Sequence, residues 1–213
     1  MPEPFERRRP RPSLVLDAGG VVVTEPMGLV LTRLASASPL DRGTIEARYR
    51  SELYDRFWSG SLEAELFWDA LIDLGDARIH PDELREVFFG SLFVQAAVAS
   101  VLPRWRRIAD LYLLSNHRSE WLLPLLQEQG LTDVFEKVWI SDVMRSAKPT
   151  VDLYRGLAAH LPRGSPVLYV DDDARNLASG VQVGWSALEA GRDPERWLPA
   201  VGSWLEESSA AGR

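Results

Sequence analysis

Asp17 closes an apolar run and is followed at once by Ala18, Gly19 and Gly20. An acid at the C-terminal end of a strand, beside backbone that can bend tightly, is well placed to hold a reactive carboxylate. Open α/β sheets bind their ligands at such strand ends. The same pattern also describes a plain turn, so its meaning depends on what the rest of the chain sets beside it. Three later segments put polar groups after apolar runs: Ser115 and Asn116 after 111–114, Lys148 beyond 137–140, and Asp171, Asp172 and Asp173 directly after 166–170. A carboxylate nucleophile, a hydroxyl at a helix start, a lysine and a second carboxylate form a kit for phosphoryl transfer. Two carboxylates can share Mg²⁺, a hard cation that prefers oxygen ligands and phosphate. The hydroxyl and helix N–H groups can hold phosphate oxygens, and the lysine supplies charge against the developing negative charge.

These groups act together only if the fold gathers them. Residues 13–17 read as a buried strand. From about 25 to about 104 the apolar residues take helical spacing. Leu29, Leu31, Leu34 and Ala35 form one stripe, and a segment over 44–58 ends at Ser59-Gly60. A helix with Ser61 as N-cap is expected to bury Leu66, Phe67, Ala70, Leu71 and Leu74 and to stop at Gly75. Pro81 opens another, carrying Leu84, Val87, Phe88 and Leu92. So long a helical stretch exceeds a connecting loop. From 105 onward strands at 111–114, 137–140, 166–170 and 186–188 alternate with helices, the last over 197–207. The pattern predicts an α/β fold: a doubly wound, mainly parallel, Rossmann-like sheet built from 1–24 and 105–213, with an all-helical cap subdomain, 25–104, inserted after the first strand. Right-handed crossovers put the C-terminal strand ends on one edge, where the polar groups converge.

Composition narrows the classes. The chain has 213 residues, 46% apolar and 26% charged, which suits one large domain or one domain with an insertion. A net charge of −7 argues against nucleic acid as the main partner. The absence of cysteine excludes disulfides, thiolate metal sites and a cysteine nucleophile, and fits a cytoplasmic protein. No apolar stretch approaches the roughly 20 residues that span a bilayer, so no membrane partner is expected. Residues 1–12, with Arg7, Arg8 and Arg9, read as a solvated tail. The eight tryptophans are scattered and read as packing residues. Trp58 and Trp68 are the two expected to line a substrate pocket beneath the cap. His80 and His160 read as capping or solvated residues at helix boundaries.

The ordered set of motifs resembles the haloacid dehalogenase (HAD) superfamily, and within it the phosphatases with a helical C1-type cap after the first motif. Leu113-Leu114-Ser115-Asn116 matches the second motif. Ser141-Asp142, then Ala147-Lys148-Pro149 with Tyr154, matches the third, and Val167 through Asp172 with Asn176 the fourth. Phe57-Trp58-Ser59-Gly60-Ser61-Leu62 with Phe67-Trp68 is similar to the helix-turn-helix of such caps. The resemblance runs from about Ser13 to Ala190. It implies that Asp17 attacks phosphorus and forms an aspartyl-phosphate that water hydrolyses. Ser115, Asn116 and Lys148 would surround the phosphoryl group, Asn116 and Asn176 orienting the neighbouring loops. Mg²⁺ would be held by Asp17, the backbone carbonyl of Gly19 and Asp172, with Asp171 supporting it or ligating through water. The substrate would be a small phosphorylated metabolite.

One position departs from that pattern. Two residues after the nucleophile, the family's phosphatases usually carry an aspartate that acts as general acid and base. Here the residue is Gly19. Glycine keeps the carbonyl that holds metal but lacks the proton donor, and general acid–base help is worth about 10²–10⁴-fold. Three readings follow. The first is a phosphatase that acts on esters with good leaving groups, such as glycosyl or acyl phosphates, or draws its proton from elsewhere, with His117, Asp55 and Glu63 as candidates. The second is a catalytically weak relative that binds a ligand or partner. The third is a metal-independent 2-haloacid dehalogenase, against which stand Gly19, where such enzymes carry an aromatic residue, and the Asp171-Asp172 pair.

Overall fold

The computed structural model describes residues 10–210, so the expected tail residues Arg7, Arg8 and Arg9 lie outside the described residues. Five strands, β1 (Ser13–Leu16), β2 (Asp110–Ser115), β3 (Lys137–Ile140), β4 (Val167–Asp171) and β5 (Ser186–Glu189), form one parallel sheet in the order β3-β2-β1-β4-β5. β1 lies at the centre, with Leu14 in register with Leu111 on one side and Leu168 on the other. All four of its residues are buried. That is why it reads as an unbroken apolar run: a strand covered on both faces has no polar alternation to show. The doubly wound parallel sheet expected from the alternation is present. Arg11 and Pro12, read as part of the tail, are tied to the core. Pro12 accepts a hydrogen bond from the Asp110 N–H at 2.9 Å, and Arg11 accepts one from the Ser165 hydroxyl at 2.6 Å.

Between β1 and β2 the chain is helical: α1 (Met27–Ala35), α2 (Arg42–Arg48), a π-helical stretch (Tyr49–Tyr54), α3 (Asp55–Trp58), α4 (Ala64–Leu74), α5 (Pro81–Ser91) and α6 (Ala96–Arg106). From Arg42 to Trp58 the helix is continuous. The helices from α1 to α5 bury an apolar cluster of their own, including Leu34, Ile45, Phe57, Phe67, Leu71, Leu84 and Phe88. Helix α6 instead packs Val98, Leu102 and Trp105 with Leu111, Val201 and Leu205 of the sheet's cluster. Helix α4 starts later than its sequence suggests, with Glu63 rather than Ser61 at its N-cap. Gly60 (φ +76°) ends α3 in a left-handed turn, and the N–H groups of both Ser61 and Leu62 go to the Arg56 carbonyl, which leaves Ser61 inside the turn. The buried face of α4 is Phe67, Trp68, Leu71 and Leu74, and Leu66 falls outside it, 58% exposed. His80 does cap α5, its Nδ1 accepting from the Asp82 N–H, with Glu83 closing the box.

After β2 come α7 (Ser119–Glu128), α8 (Ser141–Met144), α9 (Val151–Ala158), α10 (Ala174–Gln182) and α11 (Pro194–Ala210). Among the described residues no helix is long and apolar enough to cross a membrane.

Candidate active site

Three charged side chains from distant parts of the chain meet at the C-terminal edge of the sheet. Asp17 follows β1, and its N–H donates to Val170 of β4 at 2.9 Å. Asp171 ends β4. Lys148, between α8 and α9, places its ammonium between them, 2.8 Å from Asp17 Oδ2 and 2.6 Å from Asp171 Oδ2. All three are buried. Asn116 fixes the lysine's backbone from both sides: its Oδ1 accepts from the Lys148 N–H at 2.8 Å, and its Nδ2 donates to the Lys148 carbonyl at 3.0 Å.

The three consecutive aspartates have separate surroundings. Asp171 is taken up by protein donors. Besides Lys148 it accepts from the Tyr169 hydroxyl, from Asn176 Nδ2 at 3.0 and 3.2 Å, and from the Asp173 N–H at 2.8 Å. Asp173 caps α10, accepting from the Arg175 N–H at 2.8 Å. Asp172 opens toward solvent and lies against Gly20. A Cβ at Gly20 would stand 2.3 Å from Asp172 Oδ2, and the residue holds φ +75°. Only glycine fits there without displacing the carboxylate.

One carboxylate oxygen from each of Asp17, Asp171 and Asp172 lies within 4.8 Å of the others. Burial pushes the Asp17 carboxyl well above the usual range; Lys148 opposes this, and Asp171 and Asp172 add to it. Lys148 is itself buried, which works against its charge, but Asp17 and Asp171 outweigh that and raise its pKa. Asp172 is open by surface area, yet the cleft removes enough hydration to raise its carboxyl to about 6, with Asp171 adding to the effect. Three carboxylates gathered around a single ammonium form a donor set short of positive charge. A hard divalent cation fits that deficit. Asp171 takes the most protein donors, Asp17 accepts from the Ala18 N–H at 2.6 Å and from Lys148, and Asp172 is the carboxylate most open to an ion.

A cavity of about 530 Å³ opens from this cluster. Asp17, Gly19, Asn116, His117, Lys148 and Asp172 form its floor. Arg42 and Glu46 from α2 and Tyr49, Arg50 and Tyr54 of the π-helical stretch form the facing wall, with Trp58 beside them, and Glu25, just ahead of α1, lines the edge next to Gly19. Ser115, at the end of β2, is 1% exposed, and the wall at this point is made by Asn116 and His117 instead. Trp68 is not on the wall. It is 2% exposed and packs against Phe67, Phe88 and Trp121, because the buried face of α4 points into the helical cluster.

Of the three candidate proton donors, Asp55 and Glu63 are solvent-exposed and lie off the cavity wall. His117 lines the cavity, but burial lowers its pKa to about 4 and its Nδ1 accepts from the Arg118 N–H at 2.9 Å. It is a neutral ring at pH 7. Sequence reasoning passed over Glu25, the polar face Arg42-Glu46-Arg50 and Tyr54. The i, i+4, i+8 spacing of Arg42, Glu46 and Arg50 marks one helix face, but nothing in the spacing says that this face turns inward.

No protein-family model matches the chain, and no curated protein matches it in sequence. Solved structures do. A predicted HAD-like family hydrolase from Porphyromonas gingivalis is 23% identical with a TM-score of 0.71, covering 92% of this chain and 98% of its own. A HAD family enzyme from Bacteroides thetaiotaomicron, solved in complex with magnesium and inorganic phosphate, is 18% identical with a TM-score of 0.65, covering 86% and 97%. The L-2-haloacid dehalogenase of Xanthobacter autotrophicus, with chloropropionic acid covalently bound, is 20% identical with a TM-score of 0.57, covering 84% and 77%. The parallel sheet, the helices inserted after its central strand and this breadth of overlap give the chain the fold of the HAD-like hydrolases.

Proposed function

We propose that the protein is a Mg²⁺-dependent, phosphatase-like hydrolase of a small organic phosphate. The observation that carries this reading is the clustering of Asp17, Asp171 and Asp172, with the ammonium of Lys148 between the first two, at the floor of a cavity. Asp17 and Asp172 would hold the ion with the Gly19 carbonyl, and the ion supplies charge that neutralises phosphate oxygens. The magnesium and phosphate complex of the Bacteroides thetaiotaomicron enzyme supports the same choice.

In this reading Asp17 attacks phosphorus and carries the phosphoryl group as an acyl phosphate, which water then hydrolyses. Lys148 orients the attacking carboxylate and meets the charge that develops on the phosphoryl oxygens. Asp171 holds Lys148 in place. Asn116 sets the height of the lysine's loop, and Asn176 sets Asp171. The helices from α1 to α5 act as the cap, excluding water and choosing the leaving group.

The test is phosphate release from a panel of small phosphate esters, with and without Mg²⁺. Wild type is expected to require the ion, and Asp17→Asn to lose roughly three or more orders of magnitude in kcat. Unchanged turnover in Asp17→Asn would remove the mechanism. Halide release from 2-haloacids without metal would replace it with carbon chemistry. Mg²⁺ or phosphate binding without turnover of any ester would favour a binding protein.

A further inference from the structure

Gly19 leaves a gap in the proposed chemistry, and the structure puts another acid beside it. A Cβ built on Gly19 would meet one neighbour within 4 Å, the Cγ of Glu25 at 3.8 Å. The Glu25 side chain therefore runs alongside the place where a side chain at 19 would begin. Its carboxyl lines the same cavity as Asp17 and Asp172. Two long hydrogen bonds steady it at the start of α1, from the Met27 N–H to Oε1 at 3.1 Å and from the Gly28 N–H to Oε2 at 3.4 Å.

The other carboxyls on the cavity wall are committed or misplaced. Glu46 is paired with both Arg42 and Arg50 at 2.8 and 3.1 Å. Asp173 caps α10 and binds Arg175. Glu189 ends β5, which lies on the far side of β4 from Asp17. Asp172 belongs to the proposed ion site. Glu25 is left, adjacent to Gly19 and open to the cavity.

We infer that Glu25 supplies the carboxyl that Gly19 lacks and exchanges a proton with the leaving group and then with water. This assignment rests on the phosphatase reading above. In the first step an Asp17 oxygen bonds to phosphorus and the bond from phosphorus to the ester oxygen breaks. That oxygen takes the Glu25 proton and leaves as an alcohol, with Glu25 now a carboxylate. In the second step a water oxygen bonds to phosphorus and its proton returns to Glu25. The bond from phosphorus to the Asp17 oxygen breaks, releasing inorganic phosphate and restoring the Asp17 carboxylate and the Glu25 acid. The group thus comes from the end of the β1–α1 connection, where the first N–H groups of α1 hold it, so proton transfer depends on where α1 begins.

Glu25→Gln keeps the shape and one acceptor oxygen for the Met27 N–H, gives up the longer contact from the Gly28 N–H, and cannot cycle a proton. Kinetics are measured on a simple alkyl phosphate, glycerol phosphate, and on p-nitrophenyl phosphate, whose leaving group departs without protonation. The expected result is a loss of about 10²–10⁴-fold on the alkyl ester, and a loss at least tenfold smaller on the aryl ester, measured on the same preparation. The double variant Glu25→Gln/Gly19→Asp is expected to recover part of the alkyl activity, since a Cβ at 19 meets Glu25 only at ordinary contact distance. Mg²⁺ binding followed by calorimetry is expected to change less than tenfold in Glu25→Gln. Equal losses on the two esters would assign Glu25 a structural role and overturn the inference. So would undiminished alkyl turnover, a wild type active on the aryl ester alone, or loss of Mg²⁺ binding. If wild type releases phosphate from neither ester while Asp17→Asn still binds Mg²⁺, the hydrolase reading itself fails and takes this assignment with it.

Discussion

The two walls of the cavity are built in opposite ways. The charge cluster at the floor draws Asp17, Lys148 and Asp171 from three separate segments, and every one of these side chains is buried and held by at least one charged partner. The facing wall draws Arg42, Glu46 and Arg50 from a single run of helix, and their side chains are 34%, 38% and 53% exposed. The floor exists only when the whole sheet is assembled. The facing wall's charges need only that one run of helix to be set beside one another. Chemistry that needs fixed charges belongs on the floor, and the choice of leaving group can vary on the wall without disturbing the fold.

Lys148 is where breaking the floor should cost most. Its removal leaves two buried carboxylates facing each other without a counter-charge. Losing one member of a buried ion pair costs about 3–5 kcal/mol. Lys148→Met is expected to lower the urea-unfolding free energy at pH 7 by that amount and to abolish phosphate release. A variant as stable as wild type would mean that the floor is no more tightly built than the facing wall. His117, also on the floor, gives the next largest effect through pH. Burial lowers its imidazole to about 4, against about 6.5 in an unfolded chain. Between these values the unfolded chain takes up a proton that the folded one refuses. Stability from this group is therefore complete above pH 6.5 and is lost as pH falls toward 4, by roughly 3 kcal/mol. His117→Phe is expected to flatten that part of the profile relative to wild type. Parallel profiles for the two proteins from pH 7.5 to 4 would show the ring to be hydrated.

The sheet and the floor were legible in the sequence because each rests on local signals. The run ahead of Asp17, the run ahead of Asp171 and the alternation after 105 fix a parallel sheet, and its crossover rule places strand ends together. Three features were not legible. The division of labour among Asp171, Asp172 and Asp173 depends on which carboxylate meets Lys148, which one meets bare Gly20 and which one caps α10, and adjacent identical residues do not announce that. The sequence places Trp68 at the pocket only because it lies in the cap, which covers the pocket. Whether it faces the cavity or Trp121 depends on a helix from a different segment. Glu25 carries no motif at all; its interest lies in a 3.8 Å approach to a side chain that is absent. Ser61 shows the same limit at a smaller scale, since a good capping residue lost its place to the left-handed turn at Gly60.

Gly20 sharpens the comparison at the boundary between floor and ion site. Its missing Cβ is the space that Asp172 uses. Gly20→Ala would force that carboxylate aside and strain a left-handed backbone. Shifting the support of a metal ligand typically costs 10–100-fold in affinity. Calorimetric titration with Mg²⁺ is expected to show a loss of about that size, with Lys148 and the sheet undisturbed. Unchanged affinity would remove Asp172 from the ion site.

Arg50 should show the smallest effect, and of a different kind. Its guanidinium donates to Glu46 Oε1 from Nε at 3.2 Å and from Nη2 at 3.1 Å, half exposed to solvent. Such pairs contribute at most about 1 kcal/mol, and often less. Arg50→Ala is therefore expected to leave the unfolding midpoint within experimental scatter. If the wall holds the leaving group, the same change raises KM by roughly fivefold for substrates whose leaving group carries hydroxyls or charge, with kcat preserved, because it removes binding shared by ground and transition states. Apolar esters should be indifferent to it. A fall in kcat across all substrates would instead place Arg50 in the chemistry, and the division between a fixed floor and an adjustable wall would no longer hold.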